Sequence, residues 1–177
     1  MTMILATMAL VAPAMASASP ALTSPAGVLV PFGSSVKMTS TNWVLQTVFG
    51  ALGCPEMSFD TKVEENNGKS FDLAGPGSIP FCHVLQYPLV YEGVTLKELS
   101  ATEIGKGTAS LSFGIRFSPS LTCEFTATKV PFVYTPGTNQ VVFGSSPLVS
   151  KPTACGSASF HATFSFTKPG GELVKFD

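Results

Sequence analysis

Four cysteines, two histidines and a few pairs of carboxylates are the residues of this 177-residue chain with chemistry to offer. Cys54, Cys82, Cys123 and Cys155 could ligate a metal, act as nucleophiles or form disulfides. Zinc sites draw on closely spaced pairs such as C-x-x-C, and no two of these cysteines are near neighbours. A nucleophilic thiol must be free, and an even count argues for complete pairing instead. Four cysteines allow three connectivities. The expected one is Cys54–Cys82 with Cys123–Cys155, because each loop is short and each bridge stays within one half of the chain. In the loop-closure picture each bridge would contribute about 3–4 kcal/mol.

The histidines stand alone. His83 follows Cys82, but a Cys-His pair holds a metal only with further ligands and a sulfur that is not bridged. His161 falls on the polar side of an alternating run and reads as a solvated side chain. No G-x-S-x-G is present, and no aspartate lies near either histidine in sequence. Triad members can come from remote positions, so a hydrolase site assembled around His83 or His161 is retained as an alternative reading.

The acidic run Glu64-Glu65-Asn66-Asn67-Gly68 has a calcium-loop flavour. Aligned on Gly68, however, the first and last ligand positions fall on Val63 and Ala74, which have no side-chain oxygen. A turn is the better reading. Glu98 and Glu103, flanking Ser100-Ala101-Thr102, offer the two carboxylates a glycosidase needs, as many β surfaces do. No glycine-rich phosphate loop precedes a helix. These residues assign no catalytic group, no metal ligand and no cofactor, and the reading is of a protein that is not an enzyme. Trp43, Tyr87, Tyr91 and Tyr134 are candidates for an exposed stacking surface, although a lone Trp more often caps a core.

The elements that must position these residues are strands. No window sustains a period of 3.6, whereas alternation of period two recurs throughout. Leu111, Phe113, Ile115 and Phe117 alternate with Ser112, Gly114 and Arg116, and Leu121 to Ala127 alternates in turn. A three-residue loop at 118–120 would oppose Phe117 to Leu121, Ile115 to Cys123 and Phe113 to Phe125, placing every apolar side chain on one face. Met57, Phe59, Thr61 and Val63 lead into a three-residue loop, Asn66-Asn67-Gly68, that opposes Val63 to Phe71 and Thr61 to Leu73. Gly68 supplies its left-handed residue.

Further strand candidates are Val28 to Val30, and Val36 to Phe49 broken near Asn42. Ile79 to Leu85 and Leu89 to Leu99 are separated by Tyr87-Pro88. Val130 to Tyr134 meets Gln140 to Phe143 across a type II turn centred on Pro136-Gly137. Ala158 to Phe166 points Phe160, Ala162, Phe164 and Phe166 inward. About ten short strands at this spacing predict an all-β fold, an antiparallel two-sheet β-sandwich of Ig-like or jelly-roll-like form. The echo of Phe32-Gly33-Ser34-Ser35 in Phe143-Gly144-Ser145-Ser146 does not keep its place relative to the cysteines and is taken as chance.

Residues 1–18 read as an export signal: an apolar stretch, then the small-x-small sites Ala14-Met15-Ala16 and Ala16-Ser17-Ala18, with cleavage expected after Ala18. The usual basic start is missing, the first basic residue being Lys37. A retained anchor is the competing reading, but Met3 to Ala18 is interrupted by Pro13 and falls short of the ~20 residues a span needs. No membrane span is expected in the mature chain. Export puts the cysteines in an oxidising compartment. Residues 19–27, rich in Ser, Pro and Ala, are expected as a flexible N-terminal arm, and 28–177 as one domain.

Ten basic and eleven acidic residues leave a net charge of −1. Such a balance supplies no field for a nucleic acid, and none is expected as a partner. Strands this poor in Lys raise instead the possibility of an open edge that accepts a strand from another subunit, as extracellular fibres do.

The layout resembles small secreted bacterial β-sandwich proteins of uncharacterised function. The resemblance is carried by Ser24-Pro25-Ala26-Gly27-Val28-Leu29-Val30-Pro31 behind an Ala-rich leader, and by strands ending in Leu52-Gly53-Cys54 and Leu121-Thr122-Cys123. It implies export and an all-β fold, and transfers no functional residue. The expectation from sequence is a secreted or cell-envelope module with a structural or binding role toward a protein or glycan at the cell surface. The alternatives are the sequence-remote hydrolase and the fibre subunit.

Overall fold

A computed structural model describes residues 19–52, 54–79, 83–84, 87–88 and 90–177, with backbone alone at 83–84, 87–88 and 91. In chain order the strands are β1 (Leu22–Thr23), β2 (Ser35–Ser40), β3 (Val44–Thr47), β4 (Gly50–Leu52), β5 (Met57–Asn66), β6 (Phe71–Ser78), β7 (His83–Val84) and β8 (Tyr87–Pro88). They continue with β9 (Val90–Glu103), β10 (Lys106–Ser118), β11 (Leu121–Tyr134), β12 (Gln140–Lys151), β13 (Ala158–Thr167) and β14 (Lys175–Phe176). Among the described residues the only helical turn is the 3₁₀ segment Thr153–Cys155.

The all-β, antiparallel expectation holds. Ten strands form one sheet in the order β12-β11-β10-β9-β6-β5-β2-β13-β3-β4, and β13 also pairs with β12. That last pairing closes a ring from β12 round to β13. The expected pair of separate sheets therefore does not describe the hydrogen bonding. Nor are all the strands short, since β9, β10, β11 and β12 run 14, 13, 14 and 12 residues. Tyr87-Pro88, expected as a separator, is itself a strand paired with His83–Val84.

Closure works because alternate positions are apolar along every long strand. Phe59, Phe113, Phe125, Phe160, Phe164 and Phe166 are all fully buried. Their rings meet inside the ring of strands, Phe113 with Phe160 at 5.2 Å and Phe59 with Phe164 at 5.6 Å between centroids. Such tilted aromatic contacts add about 0.5–1.5 kcal/mol each beyond area burial. One core cluster runs from Leu22 to Phe176.

β2 and β3 lie along the same edge of β13, which pairs with both, and are parted by residues 41–43. This is the break expected near Asn42. At the gap the Asn42 Oδ1 accepts from the Thr163 backbone N–H at 3.0 Å, replacing a ladder bond the interruption removes. Trp43 then turns inward and is 1% exposed.

The hairpins follow the predicted faces more closely than the predicted registers. Phe113 faces Phe125 and Ile115 faces Cys123 as expected, but Leu121 faces Ser118 across an irregularity after Arg116. In β5–β6, Val63 faces Leu73, not Phe71, and the loop runs from Asn67 to Ser70. The Asn67 side chain closes that turn by accepting from Lys69 N at 2.8 Å and Ser70 N at 2.9 Å. Gly68 is left-handed there, with φ 75°. The Pro136-Gly137 turn is as read: Thr138 N donates to Thr135 O at 3.1 Å and Gly137 has φ 81°.

Residues 19–27 are not a free arm. They carry β1, which pairs with β14 across one end of the ring, Leu22 opposite Phe176 and Thr23 opposite Lys175. Ala21 and Asp177 exchange backbone hydrogen bonds of 3.0 and 2.9 Å. Asn66 clasps the segment with three bonds: its Oδ1 accepts from Leu22 N at 3.0 Å, and its Nδ2 donates to Leu22 O and Val30 O at 2.7 and 2.8 Å.

Cys123 and Cys155 form the expected disulfide, with Cα atoms 5.8 Å apart. Cys54 is also disulfide-bonded. Its expected partner Cys82 lies outside the described residues, as does the leader 1–18.

Candidate functional site

An antiparallel sheet stays regular unless an extra residue is forced into one strand, and such bulges redirect side chains. Here three of them fall in one row across the outer face. Comparison of neighbouring registers puts the extra residue at Glu64 in β5, at Lys97 in β9 and at Thr128–Lys129 in β11. Every second strand of the run β11-β10-β9-β6-β5 is thus bulged at the same level. Lys129 has φ 55°, a left-handed backbone that costs a residue with a side chain on the order of 1 kcal/mol or more. Its N–H is received by Ser110 Oγ at 3.3 Å.

The row gathers carboxylates and hydroxyls. Asp72 on β6 lies opposite Glu65 on one side and Ser100 on the other. Ser100 Oγ donates to Glu98 Oε1 at 3.0 Å. Asp72 Oδ1 is buried, with no hydrogen-bond partner among the described residues. Burial, then the charges of Glu98 and Glu64, push the Asp72 carboxyl up from 3.8 to about 6, against a weaker downward pull from the Leu73 and Leu99 backbone. Negative charge crowded into a half-buried setting favours the protonated form.

Beside this row lies a groove of about 560 Å³ bordered by Glu98, Ser100, Thr102, Thr108 and Lys129. Its floor is shaped by Gly107, where a Cβ would stand 2.3 Å from the Phe132 ring and 2.4 Å from Ser100 O. Only glycine permits that approach. Glu103 also lines the groove, in an exposed ion pair with Lys106 at 2.7 Å. Exposed pairs of this kind contribute little to stability.

Glu98 and Glu103 therefore do share a groove. Five residues along one strand separate them by about 16 Å at the ~3.3 Å rise of a strand, beyond the ~5–10 Å spanned by glycosidase carboxylates. Within the Glu64–Gly68 run, Glu65 Oε1 accepts from Asn67 Nδ2 at 2.8 Å and from Ser70 Oγ, and Asn66 Oδ1 accepts from Leu22 N at 3.0 Å. Among the described residues no group of three or more His, Cys, Asp or Glu side chains is placed to hold a metal ion.

His161 lies on the exposed face of β13, and among the described residues no carboxylate is hydrogen-bonded to its ring. The side chains of His83, Tyr87 and Tyr91 lie outside the described set. Trp43 and Tyr134, candidates for exposed stacking, belong to the core instead. Tyr134 Oη donates to Glu103 O at 3.3 Å, its ring packs 5.1 Å from Phe176, and burial raises its pKa.

Asp72, Lys129, Ser100 and Ser110 were not singled out by sequence reasoning, yet two of the bulges leave a mark there. Leu96 and Leu99, and likewise Ala127 and Val130, are inward residues spaced by three where alternation demands two. An apolar-x-x-apolar step inside a strand pattern is the signature of an inserted residue.

Fold and groove together define an antiparallel β-module, closed on itself, with a carboxylate- and hydroxyl-lined outer surface. No protein-family model, curated protein or solved structure matches the chain. Among the described residues no helix is long and apolar enough to cross a membrane.

Proposed function

We propose that the protein is an exported β-module whose duty is binding, and that the β9–β11 groove engages a polar partner, a protein or glycan at the cell surface. The carrying observation is the row of bulges beside the outer-face groove that Glu98, Ser100 and Lys129 line. Regular strands would bury the same core without them, and bulges are enriched beside functional sites. Carboxylate and hydroxyl acceptors with a flanking ammonium suit hydrogen bonding to sugar hydroxyls or to a polar protein surface.

Export is supported by the buried disulfide, of a kind that persists in oxidising compartments. The fibre reading is less well supported, because the closed ring leaves the main sheet few free edges.

The test is backbone-amide NMR of the purified protein titrated with soluble cell-wall glycans and envelope proteins. Shifts are expected to centre on 98–110 and 128–133, and Glu98→Gln with Lys129→Gly should reduce affinity about tenfold without unfolding the chain. Shifts confined to other faces, or turnover of the added glycan, would reject this reading.

A further inference from the structure

Residues 24–34 build two turns at the capped end of the ring; Val30 between them joins the core, while the turns themselves project from it. Gly27 N donates to Ser24 O at 2.9 Å, closing a turn through Pro25 and Ala26. A second turn, closed by Ser34 N to Pro31 O at 3.1 Å with Gly33 at φ 77°, puts Phe32 at its apex. Phe32 is 79% exposed, Val28 64% and Leu29 44%. No residue before Lys37 carries a charged side chain. Polar side chains would serve these turns equally well, so their apolar character calls for another cause.

The projection is firmly mounted. Asn66 holds its base, and Gly33 and Ser34 exchange backbone bonds of 2.8 and 3.0 Å with Val63. Two exposed lysines flank it. Lys62 lies opposite Ser35. Lys69 follows Gly68, whose Cβ position is 4.0 Å from Leu29 Cδ1.

We propose that this projection docks the protein on a lipid surface, with Phe32, Val28 and Leu29 entering the interface and Lys62 and Lys69 meeting headgroup phosphates. A convex apolar tip needs a receptor. On a second copy the described grooves set charged side chains, Asp60, Lys62, Glu64 and Lys97 in one and Glu98 and Lys129 in another, among apolar ones such as Leu96 and Phe132. Three side chains also fall well short of the ~800 Å² per partner of a stable protein interface. A fluid acyl region accepts them without a matching pocket, and flanking lysines add attraction to anionic headgroups. β5, to which the projection is tied, presents Asp60, Lys62 and Glu64 outward, the reverse of the apolar belt of a membrane-spanning barrel.

The purified protein is to be sedimented with phosphatidylcholine vesicles, with and without one-third phosphatidylserine. Wild type should co-sediment, and Phe32→Ser with Val28→Ser should lower the partition coefficient about tenfold while leaving the melting temperature unchanged. Lys62→Gln with Lys69→Gln should weaken binding to the anionic vesicles alone. A Phe32→Trp variant should show blue-shifted emission on vesicle addition, against the buried and unresponsive Trp43. Absence of co-sedimentation, binding that survives loss of Phe32 and Val28, or Phe32-dependent self-association in ultracentrifugation without vesicle binding would each overturn the proposal. Groove variants at Glu98 and Lys129 should leave vesicle binding intact, which separates this proposal from that for the groove.

Discussion

Two polar residues make opposite contributions to this structure. The Asp72 carboxyl titrates near 6 in the fold against 3.8 ordinarily, so the folded chain holds that proton more tightly than the unfolded one. The stabilisation from protonation is complete below the ordinary value and is lost as pH rises through about 6. Calorimetric melting temperatures are therefore expected to rise on acidification from pH 7.5 toward 5. Asp72→Asn should be more stable than wild type at neutral pH and should flatten that window, and superimposable profiles would contradict the assignment. Asn66 works the other way. Asn66→Ala removes three bonds and leaves Leu22 O and Val30 O without that donor, at a cost of about 2–4 kcal/mol readable by urea unfolding. Neither role was legible in sequence, where Asn66 looked like part of a turn and Asp72 like one polar residue among many.

Glycines set how closely the strands approach. At Gly107 and Gly75 an added Cβ would meet the Phe132 ring and Ser100 O, or Asp60 O at 2.2 Å. Gly75→Ala must push backbone apart between β5 and β6 and should lower stability by about 2 kcal/mol or more. Gly144→Ala, with nothing within 4 Å of its Cβ, should be close to neutral in the same unfolding experiment. Faces were readable at this scale because strand period is two. The β5–β6 register, expected two residues away from the one found, still put Val63 and Leu73 on the core side. Two of the bulges break that period on their own strand, at Leu96–Leu99 and Ala127–Val130, whereas the one at Glu64 shows only when its partner strand is known.

Across the whole molecule the Cys123–Cys155 bridge ties β11 to the segment after β12 over a separation of 32 residues. Loop closure of that length is worth about 4 kcal/mol, and both sulfurs are fully buried. The Cys123→Ala, Cys155→Ala double variant should melt about 8–15 °C lower by circular dichroism. Peptide mapping without reduction should recover Cys54 linked to Cys82, and a Cys54–Cys123 peptide would contradict the bridge described here.

Period-two alternation, turn residues and an even cysteine count were enough, from the sequence alone, for the all-β class, the inward faces of β10, β11 and β13, the break at Asn42 and the Cys123–Cys155 pair. Each of these depends on local chemistry, or on residues near one another along the chain. Ring closure through β12 and β13, the docking of residues 21–24 against β14, the burial of Trp43 and the row of bulges under the groove belong to the tertiary structure. Such features arise when distant segments share one core, and their positions follow from which strand lies beside which.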